Sequence, residues 1–212
     1  MLERRGLMLV LSSPSGAGKT TIAQKILERD SNIAFSVSET TRPMRPGEQD
    51  YVDYHFVSEE QFQKNIEEKK FLEYAKVFGY HYGTPKAPVK AALKQGQDVL
   101  FDIDWQGARQ LGQKVRGDLV SIFILPPSIE ILEERLRKRA QDDEQTIKKR
   151  MARAKSEIIH WVEYGYVIIN NDLESTVEKV YSILKSERLR RRRQQGLDDF
   201  VTRMIGLSEE VE

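Results

Sequence analysis

The 212-residue sequence has no cysteine, no long apolar run and almost no net charge. The absence of cysteine excludes disulfide bonds and cysteine-ligated zinc sites. No apolar run approaches the ~20 residues that a transmembrane helix needs, and residues 1–6 show no secretory signal pattern. A net charge of +1 argues against a surface that binds nucleic acid throughout. We therefore expect a cytoplasmic globular protein without a membrane segment.

The stretch 7–21 has the pattern of a phosphate-binding loop. Leu7–Leu11 is a short apolar run typical of a buried parallel strand, small residues follow it, and a helical pattern begins at Lys19. Small residues let successive backbone N–H groups surround phosphate oxygens, and the helix start adds the positive end of its dipole. We therefore expect Lys19 to contact the β- and γ-phosphates of a nucleotide and the Thr20 hydroxyl to bind Mg²⁺.

One position of this loop departs from the usual motif. Ser13 stands where G-x-x-x-x-G-K-[ST] has its first glycine. Serine tolerates a positive φ less well than glycine does, so we expect a slightly altered loop geometry. The alternative interpretation is an ordinary glycine-rich turn before a helix, but the register of the strand, the helix, Lys19 and Thr20 favours the phosphate-binding loop.

The remaining pattern predicts an α/β fold with a parallel sheet flanked by helices. Apolar strands are predicted at 99–104, 119–125 and 167–169, with helical patterns between the last two and after 167–169. An alternating strand pattern at 34–38 and a hairpin within 76–84 are predicted before them. Ligands of such a sheet bind at the carboxyl ends of its strands. We divide the chain into a core of residues 1–33 and 86–187 with a helical lid at about 135–152, a β-rich insertion at 34–85, and a basic helix end and tail at 188–212.

Charged residues at three places suit phosphate chemistry. Asp102 ends a predicted strand where proteins with this loop hold the carboxylate that supports Mg²⁺, and Asp104 would face the same side. Arg42 and Arg45 lie in a proline-containing loop and suit a second phosphate group. A third group flanks a polar break and suits a lid over transferring phosphates: Arg135, Arg139 and Arg150. Each group could instead be an ordinary solvated surface.

These motifs together resemble the guanylate kinases, P-loop nucleoside monophosphate kinases that transfer the γ-phosphoryl group of ATP to GMP. The resemblance runs from about residue 6 to about residue 186. It rests on Ser-Pro-Ser-Gly-Ala-Gly-Lys-Thr at 13–20, Ser38-x-Thr40-Thr41-Arg42-x-x-Arg45-x-Gly47-Glu48, Tyr54-x-Phe56, Phe71-x-Glu73, Tyr82-Gly83-Thr84 and Asp102-Ile103-Asp104-x-Gln106-Gly107.

The resemblance implies two substrate sites and a magnesium ion. The ATP residues would be Pro14, Ser15, Gly16, Ala17, Gly18, Lys19, Thr20, Thr21 and, near the adenine, Asn170. The GMP residues would be Ser38, Arg42, Arg45, Tyr54, Glu73, Tyr82, Thr84 and Asp104. The catalytic residues would be Lys19, Arg42, Arg135, Arg139 and Arg150, with Thr20 and Asp102 at Mg²⁺. Glu73 suits guanine because a carboxylate accepts from both N1–H and the 2-amino group, whereas adenine has an acceptor at N1.

Other interpretations remain open from the sequence alone. The chain could be a guanylate-kinase-like interaction domain without catalysis, although the motif residues that such domains lose are present here. It could be a nucleic-acid binder that uses Arg188–Arg193, although that run also suits the solvated end of the last helix. Adenylate and thymidylate kinases are the nearest enzymes that could be confused with it. Tyr51 stands where relatives often have glycine, and the sequence leaves a homo-oligomer open.

Overall fold

The computed structural model describes residues 3–77, 79–139 and 144–206, which form nine strands and eight α-helices. The strands are β1 (Met8–Ser12), β2 (Ile33–Phe35), β3 (Glu39–Thr40), β4 (His55–Phe56), β5 (Phe71–Val77), β6 (Tyr80–Pro85), β7 (Asp98–Asp102), β8 (Leu119–Leu125) and β9 (Tyr166–Ile169). The α-helices are α1 (Lys19–Arg29), α2 (Glu59–Glu67), α3 (Lys86–Lys94), α4 (Trp105–Lys114), α5 (Ile129–Arg139), α6 (Glu144–Ile158), α7 (Leu173–Arg188) and α8 (Leu197–Met204). Within these ranges, every helix is too short or too polar to cross a bilayer.

The large sheet is parallel throughout and confirms the predicted fold class. Its strand order is β2-β7-β1-β8-β9. Successive side chains of β1 point to opposite faces, so Leu9 and Leu11 pack with α1 and α7 while Met8 and Val10 pack with α3 and α4. Both faces of the sheet are therefore covered by helices, as a continuous apolar strand such as β1 requires.

The small second sheet has the order β4-β3-β6-β5, and the predicted hairpin within residues 76–84 is its β5–β6 pair. Ser58 accepts from the Gln61 N–H at 3.1 Å and caps α2. The strand predicted at 34–38 was assigned to the insertion, but Ile33–Phe35 pairs with β7 in the large sheet. The second sheet therefore begins at Glu39, and the large sheet has five strands rather than four.

Three helices were not identified in the sequence: α3, α4 and α8. Because α4 begins directly after Asp104, this residue lies at the start of a helix and not in the predicted strand 99–104. Asp104 instead caps α4 by accepting from the N–H groups of Gln106 at 3.0 Å and Gly107 at 3.2 Å. The strand ends at Asp102, so the two carboxylates lie on either side of a short strand-to-helix connection.

The basic run at the end of α7 is only partly solvated. Arg188 donates to Asp98 at 2.7 Å and to Asp30 at 2.6 Å. Arg193 is 2% exposed and donates to the Glu187 backbone carbonyl at 2.9 Å. The prediction of a solvated helix end is therefore wrong for these two arginines, because buried carboxylates hold them against the core.

Candidate active site

The turn between β1 and α1 has the conformation of a phosphate-binding loop, which we call the P-loop (residues 13–20). Gly16 and Gly18 have φ values of +91° and +95°, which only glycine adopts readily. A Cβ at Gly18 would lie 2.8 Å from the Asn170 amide nitrogen. Among the described non-glycine residues, Tyr51 and Lys69 have a positive φ, and Ser13 does not. The expected strain at Ser13 is therefore absent.

Lys19, Thr20 and Asp102 lie together at the start of α1. The Lys19 ammonium forms an ion pair with Asp102, and the Thr20 hydroxyl donates to the other carboxylate oxygen at 3.1 Å. Burial lowers the pKa of Lys19 to about 8, against the opposing effect of Asp104 and Glu157. A hydroxyl beside a carboxylate is a hard oxygen donor set of the kind that Mg²⁺ takes together with substrate phosphates, so these residues fit the ion.

The helices α5 and α6 stand beside the P-loop. A cavity of about 350 Å³ is lined by Gly16, Gly18, Thr20, Thr21, Arg135 and Lys138. Arg135 therefore lines a cavity at the P-loop, and its guanidinium lies 3.4 Å from the Asn170 carbonyl oxygen. Arg150 lies on α6. Arg139 ends α5, and its side chain lies outside the described part of the structure, as does most of the polar break at 141–144.

Two buried residues, Asn170 and Glu157, support the P-loop through hydrogen bonds. Asn170 is 4% exposed and donates its amide to the Ala17 carbonyl at 2.8 Å, while its oxygen accepts from the Thr176 hydroxyl at 3.1 Å. Its amide is thus engaged in supporting the loop rather than free for adenine. Glu157 of α6 accepts from the Ser15 N–H at 3.2 Å. Sequence reasoning missed Glu157 because an i, i+4 arginine, Arg153, makes it look like an ordinary surface pair.

A second cavity of about 320 Å³ lies between the second sheet and the end of β7. It is lined by Ser38, Arg42, Arg45, Glu48, Tyr54, Glu73, Ala75, Val77, Tyr82, Asp102, Ile103 and Asp104. Seven of the eight predicted GMP residues are therefore brought to one cavity. The eighth, Thr84, is fully buried behind it and donates to Glu73 at 2.6 Å.

Glu73 is a buried carboxylate at this cavity, with 4% of its surface exposed. Burial raises its pKa to about 7, partly offset by the hydrogen bond from Thr84, while the nearby charge of Asp104 raises it further. Gly107 lies directly against it, because a Cβ there would be 2.5 Å from a Glu73 carboxylate oxygen. Gly107 of α4 belongs to the motif at residues 102–107, but its contact with Glu73 is visible only in the fold.

Arg42 is held rigidly at the same cavity. Its guanidinium donates two hydrogen bonds to Glu48, at 2.7 and 2.8 Å, and lies 5.1 Å from the centre of the Tyr54 ring. The pair with Arg42 lowers the pKa of Glu48 to about 2, so this carboxylate stays ionised. The Tyr54 and Tyr82 rings meet edge to face at 5.8 Å. Glu48 thus fixes an arginine that lines the cavity, a role that the sequence did not reveal.

Comparisons with known proteins agree with this geometry. The family model described as "Guanylate kinase" matches residues 5–187. A guanylate kinase of Paramagnetospirillum magneticum is 58% identical over 205 residues, covering 97% of this chain and 96% of that protein. One of Zymomonas mobilis is 57% identical over 209 residues, covering 99% and 97%. The crystal structure of guanylate kinase from Anaplasma phagocytophilum superposes with a TM-score of 0.83 at 39% identity, covering 99% of this chain and 100% of that one. The chain belongs to the guanylate kinase family.

Proposed function

We propose that this chain transfers the γ-phosphoryl group of ATP to GMP, giving ADP and GDP, with the P-loop as the ATP site and the second cavity as the GMP site. The observation that carries the assignment is the pairing of a buried carboxylate, Glu73, with a fixed guanidinium, Arg42, in one cavity. A carboxylate suits the N1–H and 2-amino donors of guanine, and a guanidinium suits a phosphate. The cavity thus contains a partner for the base of GMP and a partner for its phosphate.

Guanine selection rests on Glu73. In our proposal its two oxygens accept from N1–H and the 2-amino group, and Thr84 keeps the carboxylate oriented through its 2.6 Å hydrogen bond. Adenine would place a lone pair against a buried carboxylate and leave it unpaired. An unpaired buried polar group costs about 1–3 kcal/mol or more, so AMP is disfavoured. Ser38 and Asp104, at the same cavity, complete the contacts to the nucleoside.

The GMP phosphate is assigned to Arg42, Arg45, Tyr54 and Tyr82. Arg42 stays charged because Glu48 accepts its hydrogen bonds and raises its pKa. A pre-oriented arginine loses little conformational freedom on binding a phosphate, whereas a flexible one must be ordered first. The phosphate oxygen that attacks ATP is already ionised near neutral pH, so we assign no general base.

The ATP phosphates are assigned to the P-loop N–H groups, Lys19 and Thr21, with Arg135, Arg139 and Arg150 as lid residues. Lys19 contacts Asp102 in the free protein. We propose that it turns to the β- and γ-phosphates when ATP binds, where their charge favours its protonated form. Catalysis then depends on alignment, charge stabilisation and exclusion of water by the lid.

Mg²⁺ is the cofactor that we assign to Thr20 and Asp102. Their oxygens are adjacent, and the departure of Lys19 towards the phosphates frees the Asp102 carboxylate. When bound, the ion would neutralise charge on the transferring phosphate. We place the reaction in the cytoplasm and in purine nucleotide metabolism, with dGMP as a second acceptor because none of the assigned contacts requires the ribose 2′-hydroxyl.

The test is a coupled ADP-release assay with ATP and Mg²⁺, run in parallel against GMP, AMP, UMP and dTMP. We expect turnover with GMP and not with the other three acceptors. Comparable kcat/KM for AMP would contradict the role of Glu73. No turnover with any acceptor, from protein shown to be folded by circular dichroism, would favour the non-catalytic interaction domain instead.

A further inference from the structure

A further cavity lies apart from both the P-loop and the second cavity. It has a volume of about 600 Å³ and contains four arginines: Arg109, Arg116, Arg190 and Arg192. We propose that this cavity, called the basic cavity below, binds a nucleoside triphosphate at a site separate from the two substrate sites.

The basic cavity lies at the opposite edge of the sheet from the substrates. It is lined by Leu119 and Ser121 at the amino end of β8 and by Gly165 just before β9. The P-loop follows the carboxyl end of β1, and β1, β8 and β9 are parallel. Parallel strands present their amino ends at one edge of the sheet and their carboxyl ends at the other, so a ligand here leaves the substrate sites free.

Positive charge in the basic cavity exceeds the nearby negative charge. Arg109 is balanced by Glu163, to which it donates through both Nε and Nη2. Arg116 is exposed and has no hydrogen-bond or ion-pair partner among the described residues. Arg190 and Arg192 share one carboxylate, Glu187, at 3.2 and 4.0 Å.

The Glu187 carboxylate has further partners besides Arg190 and Arg192. Glu187 also accepts from the buried Arg193 at 3.3 Å and from the Tyr166 hydroxyl at 2.8 Å. One buried anion therefore serves three arginines, and the cavity keeps unneutralised guanidinium groups. Such groups bind phosphate oxygens in forked pairs.

The remaining lining favours a nucleotide over a simple anion or a nucleic acid. Ala108, Leu119 and Val162 give the cavity an apolar part that suits a base. The volume is in the range of small-molecule sites, ~300–1,000 Å³. A nucleic-acid surface would use the whole basic run, but Arg188 and Arg193 are turned inward and Arg191 does not line the cavity.

The run also supplies a matched control. Arg191 is an exposed arginine between two cavity arginines, so Arg191→Gln removes the same charge from the same segment without changing the lining. The double variant Arg116→Gln/Arg192→Gln removes charge from the lining. Gly112→Glu is a second test, because a Cβ at Gly112 has no neighbour closer than 3.8 Å and the added carboxylate would face the arginines.

The experiment is a calorimetric titration of GTP into the full chain saturated with the non-hydrolysable ATP analogue AMPPNP and with GMP. We expect one further GTP per chain. The Kd should rise at least tenfold in Arg116→Gln/Arg192→Gln and in Gly112→Glu, and less than twofold in Arg191→Gln. Circular dichroism and melting temperature verify that each variant is folded.

Three results would overturn the proposal. The first is the absence of any GTP binding to the saturated protein. The second is an equal loss of GTP affinity in Arg191→Gln, which would indicate diffuse attraction to a basic surface. RNA binding that depends on Arg191 would indicate the same. The third is inorganic triphosphate binding as tightly as GTP, which would leave the apolar part without a role.

Discussion

The P-loop takes its phosphate-facing groups from consecutive residues, 13–20, whereas the second cavity takes its lining from residues scattered between 38 and 104. The P-loop is largely a backbone site, since glycines and small residues expose N–H groups. The second cavity is a side-chain site built by a sheet, a loop and the end of β7. Any nucleotide has the phosphates that the first site needs, but only one base has the donors that the second requires.

Burial acts on one charged group in each site. It lowers the pKa of Lys19 to about 8 and raises that of Glu73 to about 7, so in both cases the charged form is disfavoured in the free protein. Phosphate charge would favour the ammonium, and guanine donors would favour the carboxylate. Each group is therefore poised for a ligand of complementary character, and each can be tested separately.

The largest expected effect comes from removing the P-loop cation. Lys19→Ala should lower kcat by about 10³-fold or more, because electrostatic stabilisation of the transferring phosphate depends on it. The ADP-release assay measures the loss, and circular dichroism verifies the fold. GMP affinity should stay within a fewfold of the wild-type value. A parallel loss of GMP affinity would show that the two sites are not separable.

The next largest effect is expected from a change at the second cavity that leaves the P-loop intact. In Gly107→Ala the new Cβ would lie 2.5 Å from the Glu73 carboxylate. We expect the KM for GMP to rise by about 10²-fold, the equivalent of roughly 2.7 kcal/mol, with the KM for ATP unchanged. Gly112→Ala is the matched control in the same helix, because its Cβ would meet nothing closer than 3.8 Å. Equal kinetics in the two variants would contradict the proposed contact.

The smallest expected effect concerns Ser13. Because its φ is not positive, glycine at this position relieves no strain. Ser13→Gly should change the KM for ATP by less than about threefold and lower stability by up to about 1 kcal/mol through the greater entropy of the unfolded chain. Steady-state kinetics and thermal unfolding measure the two quantities. A large gain in ATP affinity would mean that the serine does distort the loop.

The contrast between the sites also explains what the sequence could predict. The P-loop was identifiable because its chemistry is contiguous, from Ser13 to Thr20, between a strand and a helix. The support that Glu157 and Asn170 give to the loop was not identifiable, because these contacts join segments more than 140 residues apart. Long-range contacts of this kind leave no spacing signal in a single sequence.

The second cavity was identifiable only through the resemblance to guanylate kinases. Physical reasoning alone located Arg42 and Arg45 but could not bring Glu73 to them, since that requires the pairing of β5 with β6 and the start of α4. The misplaced strand Ile33–Phe35 has the same origin, because an alternating pattern indicates a strand without indicating its sheet. The five arginines within residues 188–193 likewise gave no sign that Arg188 and Arg193 would be buried against carboxylates.

The central claim is that the buried Glu73 binds guanine in its ionised form. The pH dependence of the KM for GMP in wild type and Glu73→Gln tests it most directly. The N1–H and 2-amino donors need the carboxylate, so affinity should fall as pH drops through the pKa of about 7. Between pH 8 and pH 6, the wild-type KM should rise by about tenfold more than that of the variant, as a group with this pKa loses most of its ionised form. Titration of the GMP phosphate affects both proteins equally and cancels in the comparison. Parallel pH profiles, with similar KM values at pH 8, would contradict the claim.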